Sequence, residues 1–186
     1  MKNEISSLEL YYLTKEFKVL EGSKIDRIYH SKNNYKELTI VCHVTSKGRI
    51  MLRTTLPGII FLDDSKDASD SPTGFGMMLR KYLEGGRIRL IEQKDFERVL
   101  TIIIETREKE EITIYNLVIE LFSKGNMIFC DEKFKILNIL DEQEWKDRSL
   151  KRLETYKYPH SRLNTLNITE DEFVDAVKNS GKDSFV

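Results

Sequence analysis

The chain is poor in the residues from which disulfide-stapled, metal-binding and membrane-spanning proteins are built. Its 186 residues include two cysteines and three histidines, and no apolar run approaches the ~20 residues that cross a bilayer. Cys42 and Cys130 lie in apolar runs without metal-ligand spacing, so we expect buried free thiols, although a disulfide between them stays open. The amino end has no apolar core of signal-peptide length. These absences predict a cytoplasmic protein without a membrane segment.

An excess of charge of either sign is also absent. The chain has 30 lysines and arginines against 31 aspartates and glutamates, which leaves a formal charge of −1. A near-neutral domain exerts no long-range attraction on phosphate, so any contact with nucleic acid has to come from a local patch. With 40% hydrophobic and 33% charged residues, the composition is that of one globular domain with a core of its own.

No pattern for catalysis or for a cofactor is found. His30, His43 and His160 are far apart and lack partners at ligand spacing, so each is expected at the surface or in the core and no metal is predicted. Gly74-Phe-Gly76 lacks the following glycine and lysine of a nucleotide-binding loop. Because no nucleophile, base and oxyanion donor occur together, we predict no enzyme activity and no cofactor.

Three helices are indicated by capping signals. The capping box Ser6–Glu9 predicts a first helix that ends before Gly22. Ser71 as cap and Pro72 as first residue predict a second helix, which the pair Gly85-Gly86 ends. A second capping box, Thr169–Glu172, predicts a short helix over 170–179.

Two series of strands fill the rest of the chain. The first is predicted at 24–31, 38–44, 49–55 and 59–62, and the second at 87–93, 98–106, 112–122, 126–130 and 136–140. The acidic, serine-rich segment 63–71 between them is predicted to be a loop. Together these signals predict an α+β fold in which two packed sheets form a sandwich or barrel flanked by helices.

Basic side chains are concentrated around the end of the second helix and the strands that follow. The apolar stripe of this helix leaves its charged residues on the other side, and a strand-borne cluster of cations suits a polyanion such as RNA. The alternative is a solvated face with Arg80 and Glu84 paired one turn apart. Tyr11, Tyr12 and Tyr29 are interpreted as core or rim residues. The cluster consists of Arg80, Lys81, Arg87, Arg89 and Arg98.

The segment Met77-Met-Leu-Arg-Lys-Tyr-Leu-Glu-Gly-Gly-Arg-Ile88, with 22–29 before it and 117–128 after it, resembles the amino-terminal domain of the NFACT family. That family includes ribosome quality-control tailing factors and proteins once named fibronectin-binding. The resemblance runs in order from Ile5 to Pro159 and continues weakly to Val186. It implies an NFACT amino-terminal domain at 1–158 and the truncated start of a helix-hairpin-helix region at 159–186.

The resemblance implies a non-enzymatic role. Such proteins bind tRNA and the rRNA of a large ribosomal subunit that carries a stalled nascent chain on tRNA, and promote its template-free extension. The acidic residue and the Asp-Arg pair that tailing requires fall on Glu9, Glu97 and Arg98, with glutamate in both acidic positions. Two other interpretations remain: position 9 of the capping box needs a glutamate without RNA, and Arg98 can be solvated or paired with Glu97 or Asp95.

The family's fold is also likened to the amino-terminal domain of formamidopyrimidine-DNA glycosylases. Those enzymes attack with the secondary amine of an amino-terminal proline, whereas this chain begins Met1-Lys2-Asn3. The nucleophile is therefore missing, and we expect neither glycosylase activity nor its DNA substrate. The alternative function is a protein-interaction or adhesion module, as the older fibronectin-binding name suggests.

Overall fold

The computed structural model describes residues 4–30, 32–64, 73–108, 110–145, 147–159, 164 and 166–180. The helices are α1 (Ser7–Phe17, followed by a 3-10 turn, Lys18–Leu20), α2 (Gly74–Leu83) and α3 (Glu170–Ser180). The strands are β1 Lys24–Tyr29, β2 Glu37–Val44, β3 Gly48–Thr55, β4 Ile59–Asp63, β5 Arg87–Gln93, β6 Val99–Glu108, β7 Glu111–Glu120, β8 Asn126–Asp131, β9 Ile136–Ile139, β10 Gln143–Glu144 and β11 Ser149–Leu150. None of the described helices is long and apolar enough to span a bilayer.

Helix α1 begins with the predicted capping box. The Ser6 hydroxyl accepts a hydrogen bond from the Glu9 backbone N–H at 3.2 Å, and the Glu9 carboxylate accepts one from the Ser6 N–H at 2.8 Å. Leu10 and Phe17 are fully buried. After the 3-10 turn, Gly22 takes a left-handed φ of 80°, which a glycine adopts without strain. The predicted first helix is confirmed.

Helix α2 begins later than predicted. Its cap is Thr73, whose Oγ1 accepts from the Gly76 N–H at 2.9 Å, and its first residue is Gly74. The predicted cap and first residue, Ser71 and Pro72, lie outside the described residues. Threonine caps a helix almost as well as serine does. The helix is therefore capped at Thr73, two residues after the predicted cap.

All nine main strands belong to one antiparallel sheet, in the order β4-β3-β2-β1-β5-β6-β7-β8-β9. The two predicted strand series exist, but they are joined and do not form two separate sheets. The junction between them is narrow, because β1 and β5 are in register only at Lys24 and Arg87. Strand signals in the sequence are local and do not show which edges pair, so this junction could not be predicted.

The long sheet curls so that its two halves share a core. Leu38 and Leu52 of the first half lie in the same buried cluster as Ile102 and Leu117 of the second. A turn of each half also meets the other, since a Cβ added at Gly125, between β7 and β8, would lie 2.8 Å from the Cα of Pro57, between β3 and β4. The result is a barrel-like β domain with flanking helices.

The outer face of the second half is covered by residues 148–158, among them Leu150, Tyr156 and Tyr158. Its anchor is Glu120, of which 2% is exposed: the Tyr156 hydroxyl donates to Glu120 at 2.8 Å, and the Arg148 guanidinium forms an ion pair with it. Val118 and Cys130 are buried beneath this cover. Most of β8 and the carboxyl-terminal half of β7 are therefore buried on both faces.

The cysteine prediction is confirmed. Cys42 and Cys130 are free and buried, and burial raises the pKa of each thiol to about 12. Of the histidines, His30 is buried and His43 is exposed, while His160 lies outside the described residues.

Candidate nucleic-acid interface

The structure separates the seven predicted site residues into two places. Four lie around the end of α2 and the first residues of β5, and three lie at the start of α1 and the turn between β5 and β6. Strand β5 has seven residues, so its two ends are about 20 Å apart. The expected single basic spot is not formed. The first group is Arg80, Lys81, Arg87 and Arg89; the second is Glu9, Glu97 and Arg98.

Arg80 is used by the fold. Its Nε donates to the Ile28 carbonyl at 2.6 Å, its side chain is 15% exposed and it lies 3.9 Å from Glu84. Glu84 in turn accepts from the Ile28 N–H at 2.9 Å. Both side chains therefore face β1, and their predicted position on the opposite side of the helix is wrong. The reason is that β1 pairs with β5 only at Lys24. The backbone N–H and carbonyl of Ile28 therefore form their hydrogen bonds with side chains of α2 and its cap.

The other three cations of the first group differ in how far their charge is neutralised. Arg89 donates to the Glu105 carboxylate at 2.6 Å. Arg87 is exposed and donates to the Gly22 carbonyl at 3.0 Å, and Lys81 is exposed with its Nζ 5.2 Å from the Tyr82 ring centroid. In the described part of the chain, neither Lys81 nor Arg87 forms an ion pair with a carboxylate.

Arg98 lies against the start of α1. Its guanidinium donates to Glu4 at 2.8 Å and to the Ile5 carbonyl at 3.4 Å. The carboxylate partner is thus Glu4, and not Glu97 or Asp95. The side chains of Arg98 and Glu4 are 26% and 55% exposed, and exposed ion pairs contribute only about 0–1 kcal/mol. The pair of Arg98 with Glu4 is therefore a weak one.

A glutamine amide holds this part of the molecule together. Gln93 Nε2 donates to the carbonyls of Ser7 and Glu97, each at 2.9 Å. Residues 4–9 and 93–98 consequently form one unit, which we call the α1–turn corner. All three residues of the second group lie in it. Glu9 is engaged in the capping box, so its structural role is confirmed.

Beside the α1–turn corner lies a cleft of about 620 Å³ between α1 and β5. Tyr11 and Phe96 line it with their ring centroids 6.4 Å apart, and Lys15 Nζ lies 4.1 Å from the Tyr11 centroid. Lys18 lines the same cleft. Sequence reasoning missed this site, because Tyr11 has the spacing of a core residue and nothing local shows that Phe96 meets it.

Comparison with known proteins identifies the family. A family model of the NFACT N-terminal and middle domains matches residues 6–185. The chain is 31% identical over 173 residues to the archaeal Rqc2 homolog aRqcH of Methanocaldococcus jannaschii, covering 90% of the chain and 25% of that protein. It is 28% identical over 180 residues to ribosome quality control complex subunit 2 of Saccharomyces cerevisiae, covering 94% of the chain and 16% of that protein. The chain thus spans a quarter or less of the length of these curated relatives.

Solved structures share the fold. The N-terminal domain of fibronectin-binding protein PavA from Streptococcus pneumoniae has a TM-score of 0.79 at 24% identity, covering 95% of this chain and 73% of that one. The N-terminal part of the fibronectin/fibrinogen-binding protein FBPS from Streptococcus suis has a TM-score of 0.80 at 22% identity, covering 95% and 70%. At these identities the likeness shows the fold alone. Since the family model covers nearly all of the sequence, the chain belongs to the NFACT family.

Proposed function

We propose that the chain is the RNA-binding module of a ribosome-associated quality-control factor in the cytoplasm. Its partners are tRNA, the rRNA of the large subunit and the stalled nascent chain attached to tRNA. The observation that carries the proposal is the match to relatives named as Rqc2 homolog and ribosome quality control complex subunit 2, over 90% or more of the chain. The module contributes binding and no chemistry of its own.

The α1–turn corner supports this function through the exchangeable ion pair of Arg98. A guanidinium can donate two parallel hydrogen bonds to a phosphate, and releasing Glu4 costs little because both side chains are partly exposed. Glu9 and Glu97 carry like charge to phosphate, so their role is to accept hydrogen bonds from ribose hydroxyls or base amines. The neighbouring cleft adds two aromatic rings and two lysines, next to the carboxylates of Glu92 and Asp95. Rings together with cations are typical of surfaces that bind single-stranded nucleic acid.

The first group of residues contributes unequally to this function. Lys81 and Arg87 are available to phosphate, because they are exposed and have no carboxylate partner among the described residues. Arg89 contributes less while it is paired with Glu105. Arg80 supports the fold and is not expected to contact RNA.

The test is to purify the full-length protein from cells and sequence the RNA that accompanies it. The expected result is enrichment of tRNA and co-sedimentation of the protein with large ribosomal subunits. Absence of both would refute the proposal. Immobilised fibronectin provides the comparison for the adhesion alternative: binding to fibronectin without RNA would favour that function instead.

A further inference from the structure

A row of basic side chains crosses four neighbouring strands of the sheet, β3, β2, β1 and β5. Lys24 is opposite His43 in the β1–β2 pairing and opposite Arg87 in the β1–β5 pairing. His43 is in turn opposite Arg49 in the β2–β3 pairing. Residues directly opposite each other in an antiparallel sheet project from the same face. The four side chains of this row, Arg49, His43, Lys24 and Arg87, are therefore neighbours; we call them the cross-strand row.

All four side chains of the cross-strand row are exposed. With neighbouring strands about 4.8 Å apart, the row is roughly 15 Å long. Like charges directly opposite each other in a sheet are destabilising. Lys24 and Arg87 nevertheless stand opposite each other, so this arrangement costs stability in the free protein.

The carboxylates near the cross-strand row do not neutralise its positive charge. Glu105 is opposite Arg87 on β6, but it is engaged by Arg89. Asp26 is exposed on β1, at an irregularity in the pairing next to Arg27, which is also exposed. Of these two carboxylates, Glu105 is bonded by Arg89, and Asp26 has the cation Arg27 next to it in the sequence, so the three permanent cations of the row remain in excess over them.

We infer that the cross-strand row binds the sugar–phosphate backbone of an RNA. Cations fixed on a rigid sheet suit an array of phosphates, and interactions of this kind position a nucleic acid without reading its sequence. The inference rests on the proposed function, which supplies the RNA partner. It extends the phosphate contact proposed for Arg87 across β1, β2 and β3, on a surface that begins at the opposite end of β5 from the α1–turn corner.

The test compares two triple variants of the full-length protein with the same change in charge. One carries Lys24→Gln, Arg49→Gln and Arg87→Gln. The control carries Lys124→Gln, Lys133→Gln and Arg152→Gln, three exposed cations elsewhere on the molecule. Binding of bulk tRNA and of purified large ribosomal subunits is measured over a range of salt concentrations. Because all six side chains are exposed, both variants are expected to fold, which circular dichroism checks.

The row variant is expected to have a shallower dependence of log affinity on log salt, by about three in slope, with at least one of the two RNA probes. The reason is that each of the three removed cations neutralises one phosphate in the unaltered protein. The control is expected to leave the slope near that of the unaltered protein. Equal slopes for the two triple variants with both probes would overturn the inference, even if Arg98→Ala weakens RNA binding and so upholds the proposed function.

If the unaltered protein binds neither probe, the inference and the proposed function fail together. Vesicles containing phosphatidylserine test the other source of phosphate. If the row variant loses binding to these vesicles but keeps its RNA slope, the surface is a membrane-binding one and the RNA inference is wrong.

Discussion

Arg80, between α2 and β1, and Arg98, in the α1–turn corner, have the same side chain in different surroundings. Arg80 donates to the Ile28 carbonyl at 2.6 Å with 15% of its side chain exposed. Arg98 holds Glu4 at the surface with 26% exposed. The first bonds the Ile28 carbonyl and supports the fold, and the second is paired with an acid that phosphate displaces in the proposed function. Basic residues close together in the sequence therefore do not by themselves indicate a binding patch.

Arg148 is a third arginine, and its ion-pair partner is more deeply buried than those of Arg80 and Arg98. Its replacement therefore has the largest expected effect on stability. Replacing Arg148 by alanine leaves the Glu120 carboxylate, 2% exposed, without its counter-charge. The free energy of unfolding should fall by about 3–5 kcal/mol, measured by urea denaturation. Arg152→Ala, at an exposed arginine of the same segment, is the matched control and should stay within about 0.5 kcal/mol. Equal losses in the two variants would show that the buried pair contributes nothing.

Arg80→Ala tests the structural side of the comparison. Losing a hydrogen bond from a charged donor to a largely buried carbonyl should lower the free energy of unfolding by about 2 kcal/mol. The affinity of the folded variant for tRNA should not change. Lys81→Ala, at the next residue and exposed, should leave stability nearly unaltered. Unchanged stability with weaker tRNA binding in Arg80→Ala would reverse the assignment.

Two substitutions of Glu9 distinguish its role in the helix cap from the role of its negative charge. Glu9→Ala removes the bonds to Ser6 and should cost about 1 kcal/mol, whereas Glu9→Gln keeps an acceptor and should cost less. Both values come from thermal unfolding, with tRNA affinity measured in parallel. A Glu9→Gln variant that unfolds normally but loses tRNA binding would show that the charge itself acts at the interface.

The smallest expected effect is a dependence of stability on pH. Burial lowers the pKa of His30 below its ordinary 6.5, an effect that the Tyr35 backbone partly offsets. The unfolded chain then binds the proton more readily, so the stabilisation is complete above the unfolded pKa and is lost as pH falls through the lower folded pKa. The free energy of unfolding, measured from about pH 7.5 to about pH 5, should fall less in His30→Gln than in the unaltered protein. Identical pH profiles would contradict this account.

Local signals in the sequence predicted the elements better than their arrangement. The bounds of β5 were predicted at Arg87–Gln93 and observed there, because strand texture and turn residues act over a few positions. The pairing of β1 with β5, the direction of Arg80 and the proximity of Tyr11 to Phe96 all depend on segments far apart in the chain. Helix α2 began at a different cap because two good capping residues stood close together.

The central claim is that Arg98 in the α1–turn corner contacts RNA. The most direct test is the salt dependence of tRNA affinity for the unaltered protein and for Arg98→Ala, with Arg152→Ala as the control at an exposed arginine outside the corner. The account predicts weaker binding and a slope lower by about one for Arg98→Ala, and no change for the control. An Arg98→Ala variant with the affinity and slope of the unaltered protein would contradict it.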